Sequence, residues 1–353
     1  MLNEKTLDRM RELTQIVGIS GDEREVSRAL AAHYQGLCDE IIYDNLGSVF
    51  AVKRCGKENA RRVMVCAHMD EAGLMVTEIR DNGLASFIKI GPVEDQALYG
   101  QRVRIRTGKG EVAGTVVLEE ERLKDCDSGK MRIDFGASSA QEAAGMGVHP
   151  GDSAVIDGPF TLLADGKRAM SKAWDNRFGC VLGIELLEAA RDMELDFDLY
   201  VGASVMEQVG VRGATTATGL IQPDLGIVLD CSGAGDLDGK ESSVGKLGAG
   251  VLVRYYDKGM MPNRGLLDEL VEVCQREGID YQYFYNMEQT DAAWIHKLFA
   301  GCPTLSICVC ARNVHTGSAV LDLHDYECAG AAAKAVLKGL NEARIQYFKE
   351  YNR

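Results

Sequence analysis

No apolar run in these 353 residues approaches the roughly 18 that a membrane-spanning helix needs. The opening stretch, MLNEKTLDRMRELTQ, reads as a charged amphipathic helix with no signal-peptide core. Basic residues are in the minority, 39 against 53 acidic, and the net charge is −14. Nucleic acid and anionic membrane surfaces both require a basic face, so neither is an expected partner. Aromatic residues make up only 7 % and form no evident sugar platform, which sets glycoside hydrolysis aside. There is no GxSxG elbow, so the Ser-His-Asp hydrolases lose their main support. GVRGA and GKLGAG lack the Lys-Ser/Thr ending of a phosphate-cradling loop. No CxxC pair occurs among the eleven cysteines. Cys66, Cys180, Cys231, Cys308 and Cys310 lie inside apolar runs and read as small buried hydrophobes, not as disulfides or a thiolate zinc cluster. The expectation is a cytoplasmic chain in a reducing compartment.

What is present is ordinary for a globular protein, with 46 % apolar and 26 % charged residues and length for one large domain or two. Two helices are expected over about 4–16 and 22–35, broken by Gly18 and the Ser20-Gly21 turn. VMVCA (63–67) reads as a buried strand. Between about 71 and 164 short strand-like segments such as RVRIRT and EVAGTVVL alternate with turns, relieved by one helix near 139–145. Beyond 170 come a helix at about 177–192, strands at 198–205, 225–230 and 304–310, and helices near 264–277 and 325–349. The reading is an α/β fold with a mostly parallel sheet flanked by helices. Residues 1–70 and 165–353 form a discontinuous catalytic domain, and 71–164 form an inserted small β-barrel or sandwich. A small β unit with exposed edges hints at pairing between copies.

Polar residues gather where apolar strands stop. VMVCA runs into His68-Met69-Asp70-Glu71, ASVM into Glu207-Gln208, and GIVL into Asp230, while LSICVC is followed shortly by His315. Asp175 precedes the helix that opens the second half. In an open parallel sheet the carboxyl edge is where ligands bind. Two histidines with several carboxylates and no thiolate make a mixed nitrogen and oxygen set suited to Zn²⁺, Co²⁺ or Mn²⁺. One carboxylate can bridge two ions about 3.5–4 Å apart, and another can act as general base to water. The set points to a metal hydrolase. Other histidines carry less: His149 reads as a turn residue, His296 as helical, His324 as lying near the cap of the last helix, and His33 as surface. Glu119-Glu120-Glu121 reads as a solvated loop.

At HMDEAGLMV (68–76), WDNRFG (174–179), MEQVGVRGA (206–214), VLDCS (228–232) and VHTG (314–317) the chain resembles the M42 metallo-aminopeptidases. These include the tetrahedral (TET) aminopeptidases and proteins once labelled cellulase M. RIDFGASSAQEAAGMGVHPGD (132–152) and TDAAWIH (290–296) extend the resemblance over nearly the whole chain. It implies a zinc-exopeptidase-like fold and a di-metal exopeptidase acting on N-terminal residues of peptides. It also implies an inserted dimerisation domain and a homo-oligomer, often a dodecamer. His68, Asp175 and Asp230 would hold one divalent ion, and Asp175 would bridge to a second shared by His315. Glu207 falls on the general base and Asp70 on the acid that orients His68. The family has Glu-Glu where this chain has Glu207-Gln208, so a usual carboxylate ligand of the second ion is here a neutral amide. A weaker second site follows as an expectation, and the alternative reading is a catalytically weakened paralogue serving as an assembly or peptide-binding subunit. Trp174 stands where the family usually has a small or aliphatic residue and is expected to reshape the pocket floor.

Overall fold

The computed structural model describes residues 2–119 and 127–353, so Glu120 and Glu121 of the acidic run lie outside the described residues. Helices α1 (Glu4–Gln15) and α2 (Arg24–Tyr34) open the chain, followed by strands β1 (Glu40–Tyr43), β2 (Val49–Lys53) and β3 (Arg61–His68). Six strands then close on themselves: β4 (Gly73–Ile79), β5 (Ala85–Ile90), β6 (Arg102–Thr107), β7 (Gly110–Leu118), β8 (Met131–Asp134) and β9 (Ser153–Ile156). Helix α3 (Ala140–Met146) sits between the last two. The chain rejoins the main sheet through β10 (Thr161–Leu162) and β11 (Arg168–Ser171), then runs through α4 (Trp174–Ala190), β12 (Phe197–Ser204), α5 (Arg212–Ile221) and β13 (Leu225–Gly233). It finishes with β14 (Val251–Tyr256), α6 (Arg264–Glu277), β15 (Tyr281–Tyr285), α7 (Ala292–Ile295), β16 (Thr304–Arg312), β17 (Ala319–Asp322), α8 (Leu323–Gly339) and α9 (Glu342–Glu350).

Eleven strands make the main sheet. Its centre, β12-β3-β13-β16, is parallel, whereas the flanking strands pair mainly antiparallel. The sheet is therefore mixed, and its parallel character is confined to the stretch where strands and long helices alternate. Alternate residues of β3 explain how it is covered. Val63, Val65 and Ala67 pack into the core made with α1, α4 and α8, while Met64 and Cys66 face the second core under α5 and α7. The barrel has its own core around Leu74, Val103, Ile105 and Ile133. Because β9 pairs with both β4 and β6, the barrel leaves no open edge, so the edge argument for pairing does not apply to it. One expected helix is two: α8 ends before Leu340, and Asn341 caps α9 by accepting the Arg344 N–H at 2.9 Å. No described cysteine is paired, and the five named from their apolar runs are all buried.

Candidate metal centre

Parallel register brings the donors together. Ser204 pairs with His68, and Val228 with Cys66, so Asp230 on β13 lies level with His68 on β3. The His68 Nε2 lies 3.0 Å from Asp175 Oδ1, 3.7 Å from Asp230 Oδ1 and 3.8 Å from Glu207 Oε2. The other oxygen of Asp175 meets His315 Nε2 at 2.7 Å. Asp175 stands between the two imidazoles, on a residue whose backbone is not helical although it opens α4. Ala173, Met206 and His315 all have positive φ, at 57°, 55° and 62°. Strain of this kind at non-glycine residues, about 1–3 kcal/mol each, persists where surrounding structure holds it, and here it clusters on the segments that aim the donors.

The electrostatics are those of a site short of positive charge. Burial disfavours protonation of His68, yet Glu207 and Asp175 lift its pKa well above the usual imidazole range. His315 is raised too, burial being overcome by Asp175. Burial, eased by His68 and sharpened by Asp175, pushes Asp230 up to about 8. Burial also raises Glu207 well above the carboxylate range, relieved by His68 and reinforced by Asp230, Asp291 and Asp175. Here protons on the imidazoles supply a charge that dications can supply instead.

Asp70 does more than touch the first histidine. Fully buried, it lies 3.4 Å from His68 Nδ1 and accepts Ser20 Oγ at 2.6 Å. It also accepts the backbone N–H groups of Glu207 and Gln208, both at 3.0 Å. Burial opposes its ionisation, but these partners hold its pKa below the ordinary value. One carboxylate thus orients a donor and pins the segment that carries Glu207.

Gln208 gives its Nε2 to Asp175 Oδ2 at 3.0 Å, while its Oε1 is buried without a partner. An orphaned acceptor is costly, and a cation beside Asp175 would relieve it if the amide presented its oxygen there. Ligand atoms of His68, Asp175 and Asp230 all lie within 4.8 Å of one another. The donor set fits borderline to hard divalent ions. The centre opens on a cavity of about 300 Å³, which Arg254, Lys258, Met287 and Glu288 also line. Trp174 is not among the lining residues: it is buried, gives its Nε1–H to Ala169 O at 3.2 Å and meets Phe160 edge-on, so it belongs to the core.

Several supporting residues carry no sequence signal of their own. Arg177, fully buried, donates to Met69 O at 2.7 Å and to the carbonyls of Leu13, Ile16 and Gly18. It ties the end of α1 to the His68 segment. Lys172, its pKa brought down to about 8 by burial, pairs with Glu71 at 2.7 Å. Asp291 accepts Ser204 Oγ at 2.6 Å behind His68. Arg177 lies in the WDNRFG motif and Asp291 in TDAAWIH, but neither motif shows what these side chains hold.

Aminopeptidases are among the solved structures that share this fold over nearly the whole chain. Residues 47–331 match the family described as M42 glutamyl aminopeptidase, and this chain belongs to that family of peptide-bond hydrolases. It is 34 % identical to the glutamyl aminopeptidase of Lactococcus lactis subsp. cremoris, over 98 % of this chain and 99 % of the relative. A TET aminopeptidase from the marine sediment archaeon Thaumarchaeota archaeon SCGC AB-539-E09 superposes with a TM-score of 0.93 at 34 % identity, covering 98 % of this chain and 100 % of that one. The Pyrococcus horikoshii TET1 peptidase, whose structures show assembly into a tetrahedron or a large octahedral shell, gives 0.83 at 29 % identity over 95 % of this chain and 100 % of that one.

Proposed function

We propose that this chain removes N-terminal residues from peptides with two divalent ions, Zn²⁺, Co²⁺ or Mn²⁺, in the centre described above. The observation that carries the proposal is Asp175 held between His68 and His315, one carboxylate oxygen to each. His68, Asp175 and Asp230 would hold one ion; His315, Asp175 and Gln208 would hold the other. Bound there, the ions lower the pKa of a water and polarise the scissile carbonyl. Glu207 takes the proton from the attacking water on its carboxylate and passes it to the leaving amine. Burial and neighbouring carboxylates raise its affinity for that proton. Asp70 keeps Glu207 in place through the backbone and fixes the ring of His68. The carboxylates also offer the substrate's free α-ammonium a counter-charge, which favours peptides with an unblocked amino terminus.

Purified protein is assayed on a panel of aminoacyl-p-nitroanilides after chelation and again after loading with each ion. Metal-dependent release supports the reading, and the panel supplies the side-chain preference. Silence from folded, metal-loaded protein sinks it. Glu207→Gln should lower kcat by about 10²- to 10⁴-fold with metal content unchanged. Loss of metal in step with activity would remove Glu207 from the role of base.

The same proposal includes a cytoplasmic setting, supported by the unpaired cysteines, and assembly with copies of this chain. Assembly is supported by the P. horikoshii relative and by an exposed cluster on β14 and edge strand β15, where Tyr255, Tyr283 and Tyr285 are 41 %, 58 % and 49 % exposed. Light scattering on the purified protein should read a mass of several chains, and a monomer at micromolar concentration would overturn this part.

A further inference from the structure

A second group of metal-ligating side chains lies apart from the catalytic cavity. Asp280, just before β15, and His324 and Cys328, one turn apart on α8, bring their ligand atoms within 4.8 Å of one another. None of the three lines the catalytic cavity. The Asp280 Oδ2 is 2.9 Å from His324 Nε2, and Cys328 Sγ is 3.5 Å from the same nitrogen. In a tetrahedral zinc site, with sulfur at about 2.3 Å and nitrogen at about 2.0–2.1 Å, sulfur and nitrogen stand about 3.5 Å apart, which is the separation found here.

Two plainer readings account for less. An exposed His–Asp pair is worth little by itself and gives the thiol no role. A Cys-His-Asp nucleophile needs the acid and the thiol on opposite ring nitrogens. Here the acid is on Nε2, which is also the nitrogen nearer the sulfur, at 3.5 Å against 4.0 Å for Nδ1.

The backbone holds the three donors in place without help from an ion. Asp280 accepts the Val251 N–H at 3.0 Å, and Gly250 approaches so closely that a Cβ there would lie 1.9 Å from Asp280 O. The first turn of α8 is anchored to the same loop, because Asp325 accepts the N–H groups of Gly248 at 2.8 Å and Gly250 at 2.7 Å. Asp322 caps the helix on the His324 N–H at 3.0 Å. The Cys328 sulfur is buried while Asp280 and His324 face solvent, so an ion would enter from water and seat against the thiolate.

We propose that Asp280, His324 and Cys328 form a binding site for a zinc-like divalent ion, with water as the remaining ligand, clipping edge strand β15 to α8. Thiolate and carboxylate together neutralise the dication, and the thiol proton leaves to solvent on binding.

Cobalt distinguishes this site from the catalytic one, because only a cysteine ligand gives a near-ultraviolet thiolate-to-cobalt charge-transfer band. Full-length protein, stripped by chelation and titrated with Co²⁺, should develop that band. Cys328→Ser should lose it and bind one cobalt fewer per chain, with aminopeptidase activity on the panel unchanged. His324→Gln, an exposed change that leaves the thiol in place, should weaken or abolish the band. Zn²⁺ should slow alkylation of Cys328 by iodoacetamide at least about tenfold, read by peptide mass spectrometry. Absence of the band in cobalt-saturated wild type overturns the proposal. So does a band of full strength in both variants, which would assign the thiolate to another cysteine. A band in protein that cleaves no substrate would leave this site standing while the catalytic reading fell.

Discussion

Gln208 concentrates what one residue can change. Its amide gives Asp175 a hydrogen bond where a carboxylate would give a cation a charge. Gln208→Glu should therefore tighten the weaker of two metal-binding steps by at least about tenfold in calorimetric titration. Unchanged affinity would show that the amide is not the limiting donor. Glu23 offers a different test. Burial first, and the nearby Asp70 second, push its pKa up to about 7 from 4.5. The folded state keeps a proton that the unfolded chain releases, so this stability is fully present below about pH 4.5 and is lost as pH rises through 7. The loss amounts to about 3 kcal/mol. Glu23→Gln keeps a carbonyl for the Gly21 and Met206 N–H groups and should flatten that part of the curve in urea unfolding at pH 5 and pH 8. An unaltered slope would show that Glu23 is ionised in the folded protein. At this scale the candidate residues His68, Asp230 and Glu207 were legible in sequence because they close apolar strands. Arg177 and Lys172 were not, since they act on carbonyls and carboxylates that become neighbours only on folding. Trp174 was misread because adjacency to Asp175 in sequence says nothing about which way a side chain turns at a kinked helix start.

Among the elements, the central strands and α1, α2, α4 and α6 followed from period and caps. The break between α8 and α9 hung on a single Asn341 cap inside a continuous helical pattern, and short flanking strands such as β10, β11 and β17 had too few residues to announce themselves. Those same flanking pieces place His315. The loop that carries it crosses the segment leaving the barrel so closely that a Cβ on Gly158 would lie 2.0 Å from Gly317 O. Gly158→Ala should thus displace the His315 loop without altering any donor. A loss of about tenfold in affinity for one of the two proposed ions, with circular dichroism unchanged, is expected. Wild-type affinity in that variant would show that the loop yields freely.

At the scale of the whole molecule, the barrel leaves the main sheet just after His68-Met69-Asp70 and returns shortly before Asp175. The family resemblance makes it the expected contact between copies, and the residues that enter and leave it are those that frame the centre. A neighbour gripping the barrel would therefore hold both tethers of the site at once. Assembly and cation occupancy become linked equilibria, each shifting the other by the same free energy. Chelation should lower the mass read by light scattering, and dilution into the dissociated range should release metal. Independent behaviour of the two would mean the tethers are slack. If they are taut, an isolated chain is a poor catalyst wherever it is made, and hydrolysis waits until the subunits have found one another.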